Sequence, residues 1–157
     1  MKYAVVINNA IVETRDYPEA IPADKIKHVG GVPQLRPVVF VPAAGYNQRK
    51  HNKLVVTTIS DTQVTETETL VDIPLAQVKA NELIRIRAEA RATIYAKYPI
   101  ERQLSAILGV YPAAYKAQLA ADVAAVVAES NAAEAQITNT VATADDAIAV
   151  TATWPTI

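Results

Sequence analysis

The feature that most constrains the fold is a change in composition at residues 72–75. Before it, the chain is rich in β-branched residues and interrupted by Pro18, Pro22, Pro33, Pro37 and Pro42. After it, no glycine or proline occurs between Leu75 and Lys97, and alanine becomes frequent. β-branched residues favour strands, whereas unbroken alanine-rich stretches favour helices. The sequence therefore predicts an α+β protein, with a small antiparallel β-rich head over residues 1–72 and an α-helical, alanine-rich region over residues 73–157.

The head is expected to contain five strands, near residues 3–7, 10–14, 38–41, 54–59 and 62–71. Asn8-Asn9 separates the first two strands, and asparagine accepts the positive φ of a tight hairpin turn. Ser60-Asp61 supplies turn residues between the last two. The final strand is polar on both faces, which favours an edge position or contact with a partner.

The second region is expected to contain three helices, near residues 74–97, 100–110 and 113–150, and an extended tail with Trp154-Pro155. Pro74 and Pro99 suit the first turn of a helix, where the missing N–H is not needed. Threonine and asparagine weaken helix propensity late in the third helix. Asp145-Asp146 therefore either caps a separate terminal helix or ends the long one.

An apolar stripe along the third predicted helix suggests a binding surface. It alternates steps of four and three residues, as coiled coils do: Leu119, Val123, Val126, Ser130, Ala133 and Ile137. Alanine buries little area, so this region is expected to need neighbours. Trp154 either inserts into a partner's pocket or packs back on the chain's own helices. The predicted partner-binding residues are Leu119, Val123, Val126, Ala133, Ile137 and Trp154.

Composition disfavours several other functions. The 15 Lys+Arg against 16 Asp+Glu give a formal net charge of -1, which argues against a nucleic-acid or anionic-membrane binder. No apolar stretch reaches the ~20 residues of a membrane span. The absence of cysteine excludes disulfides and thiol catalysis. With no secretory signal pattern at the N-terminus, the protein is expected to be made in the cytoplasm.

Few side chains suggest chemistry. His28 and His51 are interpreted as solvated loop histidines, because no further metal ligands occur at suitable spacing. The basic run Arg49–Lys53 is interpreted as a solvated loop. Glu66 and Glu68 lie on one side of a strand, so an alternative is an enzyme or small-ligand protein that uses them with the basic run. The sequence predicts no enzyme, and no catalytic, cofactor-binding or metal-binding residue.

Several segments together resemble small tailed-bacteriophage proteins. They are Gly45–Val55, Gln63–Thr67, Val71–Leu75, Lys79-Ala80, Ile84, Arg87-Ala88, Tyr98-Pro99 and Trp154-Pro155. In those tail-fibre-associated, baseplate or fibre-assembly proteins, a basic-Leu-Val strand leads to a Thr-rich strand. A Val-Asp-x-Pro-Leu junction then opens a helix.

The resemblance implies a structural virion protein of the phage tail, made in the host cytoplasm and binding other tail or fibre proteins. A homo-oligomer, by analogy a trimer, is expected. The alternative is a fibre-assembly chaperone that does not stay in the mature particle. The group supplies no catalytic residues.

Overall fold

The computed structural model describes residues 1–22, 26, 28–29, 32–33 and 35–157, and the side chain of His28 lies outside the described part. The chain divides into two units, Met1–Asp72 and Ile73–Ile157. The division falls where the sequence changes from β-branched and proline-interrupted to alanine-rich.

The first unit contains the strands. They are β1 Lys2–Ile7, β2 Ala10–Asp16, β3 His28–Val29, β4 Val32–Pro33, β5 Leu35–Val41, β6 His51–Ile59 and β7 Val64–Asp72. Five of them form one sheet in the order β2-β1-β5-β7-β6, and β3 pairs with β4. Asn8 and Asn9 have φ values of 51° and 59°, so the β1–β2 hairpin turns at the predicted dipeptide.

The sheet is mixed, so the predicted antiparallel head is wrong in one pairing although the α+β class is confirmed. β5 runs parallel to β7, with Val38 opposite Val64 and Val41 opposite Thr67. The β6–β7 hairpin is antiparallel, and β7 rather than β6 lies beside β5. Because β7 is the returning strand of that hairpin, it has the direction of β5.

The Thr-rich strand β7 is not at an edge, contrary to one of the two sequence expectations for it. It pairs with β5 on one side and with β6 on the other. Its polarity on both faces reflects the exposure of this half of the sheet. The small core of the unit, Ala4, Val6 and Val64 with Ile11, Val38 and Ile59, lies on one face near β1.

The second unit contains α1 Leu75–Lys97, α2 Ile100–Ile107, α3 Ala113–Asn139 and α4 Ala144–Ala149. The helix predicted over residues 113–150 is therefore two helices, and the alternative with a separate terminal helix is correct. Thr143 ends the interruption with a capping box: its hydroxyl accepts from the Asp146 N–H at 3.1 Å, and its N–H donates to the Asp146 carboxylate at 3.2 Å.

The core of the second unit lies where α1 packs against α3 and α4. Its buried members are Val78, Ile86, Ala133, Ile137, Val141, Ala147 and Val150. On α1 the buried positions recur every four residues, at Val78, Glu82, Ile86 and Ala90, which is one helix face. Among the described residues, no helix combines the length and apolar character that crossing a membrane requires.

Candidate interaction surfaces

The structure places most of the predicted partner-binding stripe inside the helical unit. Val126, Ala133 and Ile137 are buried within this unit, at 0, 5 and 0 % exposure. Leu119 and Val123 are half-buried, and each lines an open cleft, of about 350 and 390 Å³ respectively. Over Val126–Ile137, the four–three spacing of apolar residues therefore reflects packing within this unit. Direct partner contact through those three residues is not compatible with this packing.

Trp154 packs on its own chain. It is half-buried against the cluster that contains Ile86 and Ile137. Of the two interpretations from the sequence, the structure agrees with packing on the chain's own helices. The extended tail returns the indole to the α1–α3 core. A free hook for a partner is not present.

Asp122 forms a polar site at the junction of α1 with α3. Its carboxylate accepts from Lys97 Nζ at 2.7 Å, from the Tyr98 hydroxyl at 2.6 Å and from Gln118 Nε2 at 2.7 Å. The hydrogen bond from Lys97, followed by that from Tyr98, lowers the pKa of Asp122 to about 2. A carboxylate held ionised by three donors stabilises the junction of α1 with α3 and is not suited to proton transfer.

Arg85 connects α1 to the residue after α4. Its guanidinium donates to Glu82 at 2.6 Å, to Glu89 at 2.7 Å and to the Val150 carbonyl at 2.6 Å. The spacing of three and four residues between Arg85 and the two glutamates was visible in the sequence as ordinary helix-face pairing. The long-range bond to Val150 was not, since it depends on the path of the chain after α4.

His51 is not the solvated loop histidine that the sequence suggested. It is the first residue of β6, and its side chain is 13 % exposed. Nδ1 accepts from the Asn47 N–H at 3.2 Å, and Nε2 lies 3.4 Å from Asp72 Oδ1. The imidazole therefore holds the turn before β6 against the end of β7, which is a structural role.

Glu66 and Glu68 share a sheet face, yet each is paired with its own lysine. Lys2 Nζ lies 3.0 Å from Glu66, and Lys53 Nζ lies 3.0 Å from Glu68 and 4.6 Å from the centre of the Tyr46 ring. The hydrogen bond from Lys53 lowers the pKa of Glu68. A general acid at neutral pH needs the opposite shift. Within the described part of the chain, no three His, Cys, Asp or Glu residues come together as a metal site would require.

The opposite face of the same strands is apolar and open to solvent. Val39 lies opposite Thr65, Val41 and Val56 both lie opposite Thr67, and Leu54 lies opposite Thr69. Side chains of paired residues lie on one face, and alternate residues along a strand share it. The face thus contains Val39, Val41, Leu54, Val56 and Val71 together with Thr58, Thr65, Thr67 and Thr69. We call this set the valine–threonine face.

All five large apolar residues of the valine–threonine face are 40–53 % exposed. On the other side of β7, Val64 is fully buried, whereas Phe40 and Val55 on that side are 51 and 49 % exposed. Monomeric proteins rarely expose contiguous apolar patches without an interaction to cover them. Consecutive apolar residues in Val38–Val41 and Leu54–Val56 were the sequence signal for this face, because such runs place apolar side chains on both sides of a strand.

A second exposed apolar surface lies on α2. Ile100, Leu104, Ile107 and Leu108 share one helix face, and they are 48, 53, 80 and 79 % exposed. This apolar side of α2 is not the buried one, because the buried residue of the helix is Ala106. We call the four exposed residues the α2 ridge.

Comparison with known proteins returned no relatives: no protein-family model, no curated protein and no solved structure matches the chain.

Proposed function

We propose that the chain is a non-enzymatic structural protein of a bacteriophage tail, associated with the baseplate or the tail fibre, and that it acts by binding other protein chains. The observation that carries the binding role is the valine–threonine face. The tail setting is supported by the resemblance over Gly45–Gln103 and at Trp154-Pro155.

The composition of the valine–threonine face favours a protein partner over a small ligand. β-branched side chains on a pleated sheet give a broad surface, with rows of threonine hydroxyls between apolar rows. Small-ligand sites are concave, with a few convergent polar groups. Protein interfaces combine an apolar centre with a polar surround. A tail or fibre protein with an apolar, hydroxyl-bearing surface fits this face.

The ion pairs on the other side of the sheet favour a structural role over catalysis. An enzyme that used Glu66 and Glu68 with the basic run would need at least one carboxyl group available to act. Each carboxylate instead faces a lysine at 3.0 Å. Ion pairs of this kind are typical of structural side chains, because each carboxylate is already occupied by a lysine.

Mass spectrometry of purified phage particles tests the virion role. We expect the chain at a stoichiometric level in particles made by the strain that carries its gene. If it is bound to the fibre protein in the lysate but missing from particles, it is a fibre-assembly chaperone. Its absence from both would overturn the proposal.

Val41→Lys tests the valine–threonine face itself. Val41 lies on the interior strand β5 and is 42 % exposed, so the lysine can reach solvent in the free protein. We expect about tenfold weaker binding to the tail or fibre protein that cross-links to the chain in the particle, which corresponds to ~1.4 kcal/mol. Val12→Lys, at a 62 % exposed valine on β2, is the matched control. Equal losses in both variants would contradict a specific role for this face.

A further inference from the structure

The two edges of the five-stranded sheet differ in how well they are protected from pairing. The β2 edge carries Glu13, Arg15 and Asp16. Its ladder with β1 also shifts register, because Val5 pairs with Glu13 and Val6 with Ile11, which leaves Val12 as a bulge. Charges and bulges are common means by which edge strands avoid further pairing.

The β6 edge has a regular ladder with β7 and only one lysine, so it is less well protected. It is nine residues long, and no described strand pairs with its outer side. Its sequence from His51 to Ile59 contains no proline or glycine, and Lys53 is its one lysine or carboxylate. Lys53 is turned to Glu68 on the neighbouring strand. Residues 52–58 are all exposed, including Leu54, Val55 and Val56 at 53, 49 and 44 %.

We infer that a second copy of this chain pairs antiparallel with β6, centred on Val55, so that two sheets join into one. This inference rests on the proposed function, since it assumes that the chain acts by protein assembly. Val55 is the midpoint of His51–Ile59, so this register uses all nine residues of both copies. It is an isologous two-fold contact, which closes on itself and limits the assembly to a pair.

Charge and side-chain pattern fit this register and favour a second copy as the occupant. Centred on Val55, Lys53 lies opposite Thr57 of the second copy, and Leu54 lies opposite Val56. No like charges meet, and the central apolar residues Leu54, Val55 and Val56 face one another. A register centred on Lys53 would place lysine opposite lysine, which destabilises a cross-strand pair. A foreign strand would need to supply a matching pattern, whereas β6 already matches itself.

Continuity of the valine–threonine face across the two copies favours the same register. Residues that pair across an antiparallel ladder share a face, so the Val55 register joins the valine–threonine faces of the two copies through Leu54 and Val56. A slip by one residue would place that apolar face beside the face that carries Glu66 and Glu68 in the second copy. The apolar surface therefore stays continuous across the pair only in registers that are centred on a residue, as the Val55 register is.

A single cysteine at position 55 tests the pairing directly. Opposite residues in an antiparallel ladder have Cα atoms about 4.5–5.5 Å apart, within the roughly 4.4–6.8 Å that a disulfide spans. The chain has no cysteine, so Val55→Cys gives one reactive thiol per copy. We expect a covalent dimer of the full chain on mild oxidation. Val12→Cys, on the other edge, should stay monomeric, and equal cross-linking of both variants would overturn the inference.

Charge exchange at the same position gives an independent readout. Val55→Lys and Val55→Glu each place like charges at the two-fold axis, so each variant alone should be monomeric by light scattering. Their equimolar mixture should recover the dimer mass of the unaltered chain. An unaltered chain that is monomeric or trimeric, or variants that associate as it does, would refute β6 self-pairing. Retention of the chain in phage particles would in that case leave the proposed function standing.

Discussion

Two isoleucines on α1 lie two residues apart in opposite surroundings, and they test whether the helical unit forms its own core. Ile86 is fully buried in the cluster with Ile137, whereas Ile84 is 66 % exposed. Replacing each with alanine removes the same atoms from the same helix. The difference between the two variants therefore reports burial alone.

The expected magnitude follows from the atoms removed. Isoleucine to alanine deletes three carbon groups, and at ~0.8 kcal/mol for each the transfer loss at Ile86 is roughly 2.4 kcal/mol. The cavity left in a cluster that cannot fully collapse raises this to about 3–4 kcal/mol. At Ile84 little burial is lost and alanine is the better helix former, so the change in unfolding free energy should stay within about 0.5 kcal/mol.

Equilibrium urea unfolding of the full chain measures both values. Trp154 is the only tryptophan and packs on this cluster, so its fluorescence follows the helical unit specifically. The reasoning is refuted if Ile86→Ala and Ile84→Ala lower the stability equally. It is also refuted if Ile86→Ala has no effect, since the α1–α3 contact would then not stabilise the isolated chain.

Three further predictions concern the helical unit. Because the folded pKa of Asp122 is about 2, below its ordinary 3.8, its ionised form stabilises the fold above pH ~4, and that contribution is lost as pH falls toward 2. The melting-temperature gap between the unaltered chain and Asp122→Asn should therefore narrow over this interval, and a constant gap would disprove it. Thr143→Ala should cost about 1 kcal/mol of unfolding free energy by removing the α4 cap, with the exposed Thr151→Ala as control. Trp154→Ala should lower the melting temperature but leave partner binding unchanged, and weakened binding in a variant that is still folded would favour the hook.

Local signals predicted one hairpin turn and two helix starts. Asn8-Asn9 marked a hairpin, and Pro74 and Pro99 immediately precede α1 and α2 in the structure. These features act over a few residues, so a single sequence contains all the information they need. The parallel pairing of β5 with β7 could not be predicted in the same way. It depends on which strand of a hairpin lies inward, and that choice is made by contacts distant in sequence.

The periodic apolar stripes show the limit of such predictions for the candidate site. The α3 stripe was predicted to bind a partner, and over Val126–Ile137 it is buried within its own unit, because the spacing of a stripe does not state which chain covers it. Its cover is α1 of the same unit. The α2 ridge has the same kind of periodicity and is exposed. Periodicity thus identifies an apolar face, while its partner is determined by the three-dimensional path of the chain.

The alanine-rich composition suggested that the helical half was the part in need of neighbours, yet its long α3 stripe is largely buried, and the apolar surfaces left in solvent are the valine–threonine face and the α2 ridge. Small residues let α3 approach α1 closely enough for Ile86 and Ile137 to be fully buried between them. In the β unit, the valines and leucine of β5 and β6 remain in solvent instead, beside a core of only a few residues. Burial of apolar area stabilises in proportion to the area removed from water. Association through the sheet therefore has more left to gain than association through α3, and for this reason we propose the valine–threonine face, rather than the α3 stripe, as the surface for assembly.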